Sequence, residues 1–283
     1  MNAASTEPLT TEFQKIVERA LGEDLHAGDV TAAATVPADT QARAWIETRE
    51  AIVVCGLPLV AQVFAAVDLA VRCTFVVKDG DHVEPGQKLL TLEGNARSLL
   101  AGERTALNLL QRGSAVATKT AEYVARAGDT LRITDTRKTM PGLRALDRYA
   151  VRCGGGHNHR NDLGSGVLIK ENHIRCAGGL EAAIAGARDY APHTLRICCE
   201  VETLDEVSRA VEAGADSLLL DNMSDDMVRE ALARVGGRAF VEVSGGISLD
   251  RIAQLAALGA DAVSVGALTH SALAVDLSML MDT

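Results

Sequence analysis

The rhythm of polar and apolar positions changes once along the chain, near residue 130. Beyond it come six short β-rich runs that are nearly continuous in apolar residues: LRITD (131–135), GVLIK (166–170), LRICCEV (195–201), SLLLD (217–221), AFVEV (239–243) and DAVSV (261–265). Continuous rather than alternating apolar character marks strands covered on both faces, as in parallel sheets. Between most of them lie stretches with apolar residues at i, i+3 and i+4, such as LDEVSRAVEAGA (204–215) and LDRIAQLAALGA (249–260). Each carries a glycine where a helix C-terminus favours one. The pattern predicts a repeating βα unit, as a barrel or a doubly wound sheet.

The polar residues that close the strands favour the barrel. Asp135 leads into Thr136-Arg137-Lys138, and Lys170, Glu202 and Asp221 close the next three runs; Ser244-Gly245-Gly246 and Gly266 follow the last two. In a barrel the C-terminal strand ends meet on one face, where active sites sit. About six strands are countable, short of eight, so the barrel is expected to be incomplete.

Residues 1–113 read differently. A β run at 43–56 precedes a helical stretch and then VRCTFVVKDGDHVEPGQKLLTLEG (71–94), which resembles the hairpin of biotinyl and lipoyl carrier domains. It lacks a lysine at a tight tip, which predicts a structural antiparallel layer. A long helical region starts at Ser98, and Gly113-Ser114 marks its break and the boundary between an N-terminal domain (1–113) and the barrel (114–269). Residues 270–283 are expected to pack with the N-terminal domain.

Composition narrows the function classes. Only 3% of residues are aromatic, against nucleic-acid modules that stack bases on exposed rings. The net charge of −10 repels DNA and anionic membranes. No apolar run reaches the roughly 18 residues of a membrane span. The N-terminal MNAASTEPLTTEF lacks a basic and an apolar signal region. Cys55, Cys73, Cys153, Cys176, Cys198 and Cys199 show no CxxC spacing, as reduced thiols in a cytoplasmic protein would.

Against that acidic average, residues 132–175 hold nine Lys and Arg and four acids. A local excess of five positive charges predicts a strongly anionic ligand, with arginine suited to carboxylates and lysine to phosphates. A solvated basic face is the plain alternative; it weakens because Lys170 ends an apolar strand and Arg137-Lys138 follow another. Glu202 and Asp221, on successive strand ends, suit Mg²⁺ held together with substrate phosphates, or simple ion pairs with Lys138 or Lys170. Ser244-Gly245-Gly246, followed by Ser248 as an N-cap, and Gly266 one strand later form the usual barrel phosphate site. In GGGHNHR (154–160), His157 and His159 have the spacing of a metal pair, but later strand ends supply no further histidine. His159 therefore reads as a donor to an anionic ligand, His157 as structural, and Cys153 as a packing residue rather than a nucleophile.

Together these segments resemble the quinolinate phosphoribosyltransferases: GDVT (28–31), ERTALNLLQRGSAVAT (103–118), DTRKTMPGLRALDRYAVRCGGGHNHRNDLGSGVLIKENHI (135–174), EVE (200–202), LLLDNM (218–223), EVSGGI (242–247) and SVGALTHSA (264–272). Lys170 is followed by Glu171, where the family often has aspartate. The resemblance implies an N-terminal α/β sandwich domain, an open, roughly seven-stranded TIM-like α/β barrel, and a homodimer in which one N-terminal domain covers the partner's barrel mouth. It implies a Mg²⁺-dependent pentosyltransferase that moves the phosphoribosyl group of phosphoribosyl pyrophosphate (PRPP) to quinolinate with decarboxylation, in NAD biosynthesis. Carried over, Arg137, His159, Arg160 and Lys170 bind quinolinate, and Arg104 reaches in from the partner subunit. Lys138, Glu202 and Asp221 handle PRPP and Mg²⁺, with Lys170 also in the catalytic set; Ser244, Gly245, Gly246 and Gly266 hold the 5′-phosphate. The competing readings are a paralogue acting on another pyridine carboxylate or linked to molybdate, and a metal-dependent barrel hydrolase.

Overall fold

The computed structural model describes residues 7–282; the first six residues of the N-terminal stretch read above lie outside the described residues. Helices α1 (Glu7–Asp24) and α2 (Val30–Thr35) precede β1 (Gln41–Thr48), β2 (Ile52–Val53), α3 (Leu57–Val67), β3 (Arg72–Phe75), β4 (His82–Val83), β5 (Lys88–Asn95) and the long α4 (Ala96–Ala127). Then come β6 (Arg132–Thr134), α5 (Arg144–Cys153), β7 (Val167–Ile169), α6 (Glu171–Ala177), α7 (Leu180–Tyr190), β8 (Ile197–Val201), α8 (Leu204–Glu212) and β9 (Ser217–Asp221). The chain ends with α9 (Asp225–Val235), β10 (Phe240–Ser244), a 3-10 turn (Leu249–Arg251), α10 (Ile252–Leu258), β11 (Ala262–Ser264), α11 (Ala267–His270) and β12 (Leu277–Asp282).

One compact unit takes in residues 7–121 together with 139–155 and 268–282. Its antiparallel sheet has the order β12-β1-β5-β3, so the C-terminal strand is an edge strand paired to β1, with Arg43 opposite Asp282. β1 alternates in burial: Ala42, Ala44, Ile46 and Thr48 face the core. That period of two is the mark of a sheet with one covered face. Leu57, Phe64, Leu99 and Leu110 complete the core from α3 and α4.

Helix α4 does not break at Gly113-Ser114, contrary to the sequence expectation. A Cβ on Gly113 would lie 2.4 Å from the Cys55 carbonyl oxygen, and the Ser114 hydroxyl accepts the Cys55 N–H at 3.0 Å. Both small residues admit a crossing segment to the side of an unbroken helix. Gly154, first of the three glycines before His157, has a similar cause. Its Cβ would fall 2.3 Å from the Ala117 carbonyl oxygen of α4, so the glycine serves close packing rather than a bend at a barrel mouth. Asp147 is fully buried and takes a fork from Arg112 (2.8 and 2.9 Å) plus the Met140 N–H (3.0 Å).

The second unit, residues 122–138 and 156–267, holds a six-stranded parallel sheet in the order β6-β11-β10-β9-β8-β7. An isolated parallel bridge between Thr134 and His157 adds a seventh position beyond β6. The His157 N–H donates to the Ile133 carbonyl (2.8 Å) and its carbonyl accepts from Asp135 (3.1 Å). Among the described residues no ladder joins His157 to β7, so this is an open barrel. The strands are less uniform than the sequence pattern implied. Val201, Leu218, Leu220, Val241, Val243 and Val263 are all buried on one face, while Glu200, Glu242 and Ser264 alternate with them on the other.

Candidate active site

Asp135, fully buried just after β6, organises the HNHR stretch. Its Oδ1 accepts the His159 N–H and its Oδ2 the Asn158 amide, both at 2.7 Å. His159 then sits with both ring nitrogens engaged. Nδ1 accepts the Arg160 N–H at 2.7 Å, and Nε2 lies 3.3 Å from Glu242 Oε2 on β10. The Arg160 guanidinium reaches the Gly166 carbonyl at 3.0 Å, bridging the loop that leads to β7.

The strand register fixes what stands beside what. Ile169 pairs with Cys199, so Lys170 stands one step on beside Glu200, and its ammonium is bonded to that carboxylate. Val201 pairs with Leu220, and Asp221 with Ser244, which sets Glu202, Asp221 and Ser244 at one level across three strands. The turn after β10 is tight: Gly245 has φ +87°, and a Cβ there would lie 2.2 Å from Asn222 Oδ1 and 2.8 Å from its backbone nitrogen. Asn222 is itself left-handed (φ +55°) and donates from its side chain to Asp221 Oδ2 at 2.7 Å. Strain of this kind concentrates at ligand sites. Ser248 occupies the N-cap position expected of it, but its side chain makes no capping bond. The element it opens is a 3-10 turn closed by the backbone, Arg251 N–H to Ser248 carbonyl at 3.2 Å.

Cationic groups are crowded here. Burial, and next the like charge of Arg137, lower the Arg160 guanidinium from its usual value. Arg137 and Lys138 are exposed, with the Lys138 N–H held by Thr136 Oγ1 at 3.0 Å. Burial pushes the thiols of Cys198 and Cys199 up to about 12, which keeps them protonated and poor as nucleophiles. Gly266 follows β11 and is half-buried; Gly246 (φ +58°) is exposed. Arg104 is exposed on α4 in the other unit.

The sequence reading assigns no role to Asn158, Glu200 or Glu242, and takes Asp135 only as a strand end. A signal was present for the two glutamates: ICCEV and FVEVS each place a charge inside an apolar strand, where only a partnered group survives. As for a metal, Glu202 and Asp221 present hard oxygen donors at one level, a set that fits Mg²⁺ shared with phosphate oxygens. Among the described residues the cluster of three metal-capable groups is elsewhere, at Cys55, Asp79 and Cys153.

The profile described as "Quinolinate phosphoribosyl transferase, N-terminal domain" matches residues 29–114, and that of the C-terminal domain matches residues 116–280. The chain belongs to the quinolinate phosphoribosyltransferase family. It is 38% identical over 269 residues to the probable nicotinate-nucleotide pyrophosphorylase [carboxylating] of Bacillus subtilis, covering 95% of this chain and 93% of that one. The chloroplastic nicotinate-nucleotide pyrophosphorylase [carboxylating] of Arabidopsis thaliana is 37% identical, over 97% and 84% of the two chains. The crystal structure of NadC from Streptococcus pyogenes superposes with a TM-score of 0.94 at 38% identity, over 100% and 99%. The family's two-part plan is the one seen here: an α/β N-terminal domain and an open TIM-like barrel.

Proposed function

We propose that this chain is a decarboxylating quinolinate phosphoribosyltransferase, turning quinolinate and PRPP into nicotinate mononucleotide, CO₂ and pyrophosphate for NAD biosynthesis. The observation that carries this is the clustering of cations at the strand ends: Arg160 is half-buried and feels the like charge of Arg137, an arrangement that suits a multiply charged anion. A pyridine dicarboxylate supplies that charge, and the family membership agrees with it.

Arg137, Arg160 and Lys170 orient the dicarboxylate so that its ring nitrogen faces the ribose carbon of PRPP. The nitrogen attacks as pyrophosphate leaves, through a transition state with positive charge on the ribose, which Glu202 and Asp221 stabilise. Gly245, Gly246 and Gly266, having no Cβ, let the 5′-phosphate approach the backbone beside Ser244. Lys138 balances charge on the departing pyrophosphate. The C2–carboxylate bond then breaks as CO₂ departs, its electron pair is held at C2 beside the quaternised nitrogen, and a proton from water takes the vacated position. A Mg²⁺ ion held by Glu202, Asp221 and phosphate oxygens supplies charge neutralisation when bound. No side chain acts as a covalent nucleophile; rate comes from positioning and charge. Arg104 completes the acid pocket from a partner subunit in a homodimer. Among the described residues no helix is long and apolar enough to cross a membrane, and the free cysteines suit a reducing cytoplasm.

The test is product formation with each component withheld in turn. Nicotinate mononucleotide and CO₂ should appear only with quinolinate, PRPP and Mg²⁺ together, and nicotinate should not replace quinolinate. Folded protein that yields no product from the complete mixture, or that prefers nicotinate, overturns the proposal.

A further inference from the structure

We infer that Glu242 is a positioning residue for acid recognition: it fixes His159 in a single ring tautomer and, through that ring, holds the Arg160 backbone in place. This rests on reading the barrel as the quinolinate site, although its first test needs no substrate. His159 Nδ1 accepts the Arg160 N–H at 2.7 Å, so that nitrogen carries no proton. The ring proton is then on Nε2, 3.3 Å from Glu242 Oε2, with the carboxylate accepting. With the Asp135–His159 backbone bond at 2.7 Å, the residue is held at three atoms. Such a ring is committed to the protein's own groups. It orients Arg160 rather than donating to the ligand, a change from the direct role expected of His159.

Glu242 is suited to this task. It lies mid-strand in β10, which has a partner strand on each side, and is only 6% exposed. Its Oε1 is buried with no hydrogen-bond partner. A half-satisfied buried carboxylate is costly to keep, and the surviving bond is the one to His159. An apolar residue would fill the same space without that cost, so orientation of the ring is what the carboxylate contributes.

Two substitutions separate this role from simple packing. Glu242→Gln keeps an acceptor oxygen; Glu242→Leu keeps most of the volume and removes it. In ligand-free, ¹⁵N-histidine-labelled protein, the His159 ring should show an unprotonated Nδ1 and a protonated Nε2 in the native and Gln forms, with the pattern shifted in the Leu form. The quinolinate KM should rise about tenfold in Glu242→Leu and less than about threefold in Glu242→Gln, with the PRPP KM within about twofold of native in both. A native His159 protonated on Nδ1 overturns the inference, whether or not the Leu form folds. So does a folded Leu form with native tautomer and native KM, or one in which both substrates weaken equally. If the native protein does not use quinolinate at all, the proposed function fails, and the ligand-free ring spectrum alone decides the role of Glu242.

Discussion

Asp147 and Asp79 in the first unit, and Glu200 and Glu242 in the second, are all carboxylates drawn into the protein, yet they are treated differently. Asp147 is saturated by Arg112 and a backbone N–H. Asp79 receives the N–H groups of Gly56 and Leu57, both at 3.1 Å, at the start of α3, and the Tyr149 hydroxyl at 2.9 Å. Every partner is fixed chain of the same unit, and the bonds tie segments together. Glu200 instead holds Lys170, which is largely exposed, and Glu242 holds one nitrogen of His159 while its second oxygen has no partner. The first pair locks a fold; the second pair holds side chains that, in the proposed site, place the cations for an acid ligand. Burial alone does not identify a functional carboxylate. What its partner is left to do does.

The comparison breaks most visibly if the two sets respond alike to losing a partner. Arg112→Ala leaves Asp147 charged and buried without its fork, and unfolding by urea should show a loss of about 3–5 kcal/mol. Quinolinate KM in the surviving folded fraction should stay near native. Arg137→Ala should do the reverse. It removes a fork for a doubly charged ligand, weakening quinolinate binding by on the order of 2–4 kcal/mol, while relieving Arg160 of a like charge. Its urea midpoint should not fall. A destabilised Arg137→Ala, or an Arg112→Ala that loses quinolinate affinity without losing stability, would collapse the distinction.

Much of this division was legible in the sequence, and the parts that were not share a cause. All six barrel strands and the polar strand ends could be read because apolar runs and glycine turns are local signals. The strand at His157 is a single bridge and has no pattern to read. Gly113 and Gly154 look like breaks, yet both are close-packing positions set by segments far away in sequence, Cys55 and Ala117. Glu200 and Glu242 sit inside runs that score as apolar, and only strand register shows that they share a face with Lys170 and the strand-end acids. Asp135 reads as a strand end, whereas it is the hub of the loop that follows. Local periodicity gives elements; long-range pairing gives roles.

The smallest effect sharpens the comparison from the first unit's side. Burial raises the Asp79 carboxyl above its usual value, against the lowering pull of the Leu57 and Gly56 N–H groups and of Tyr149; Asp81 adds to the rise. Tyr149 is raised in turn, by burial and then by Asp79, and Cys55 chiefly by burial. An acid whose folded value lies above its unfolded one binds its proton more tightly when folded. Its contribution is full below the unfolded value near 4 and is lost as pH rises through the folded one. Asp79→Asn keeps an oxygen for Gly56 and Leu57 and has nothing to ionise. Urea unfolding of both proteins from pH 4 to pH 8 should therefore show the native chain losing ground to the variant as pH rises, with quinolinate KM the same in both. A flat difference means that the hydrogen bonds balance burial, and a difference growing in favour of the native chain means that they win. Only in the second case would Asp79 be tuned for its charge rather than merely tolerated.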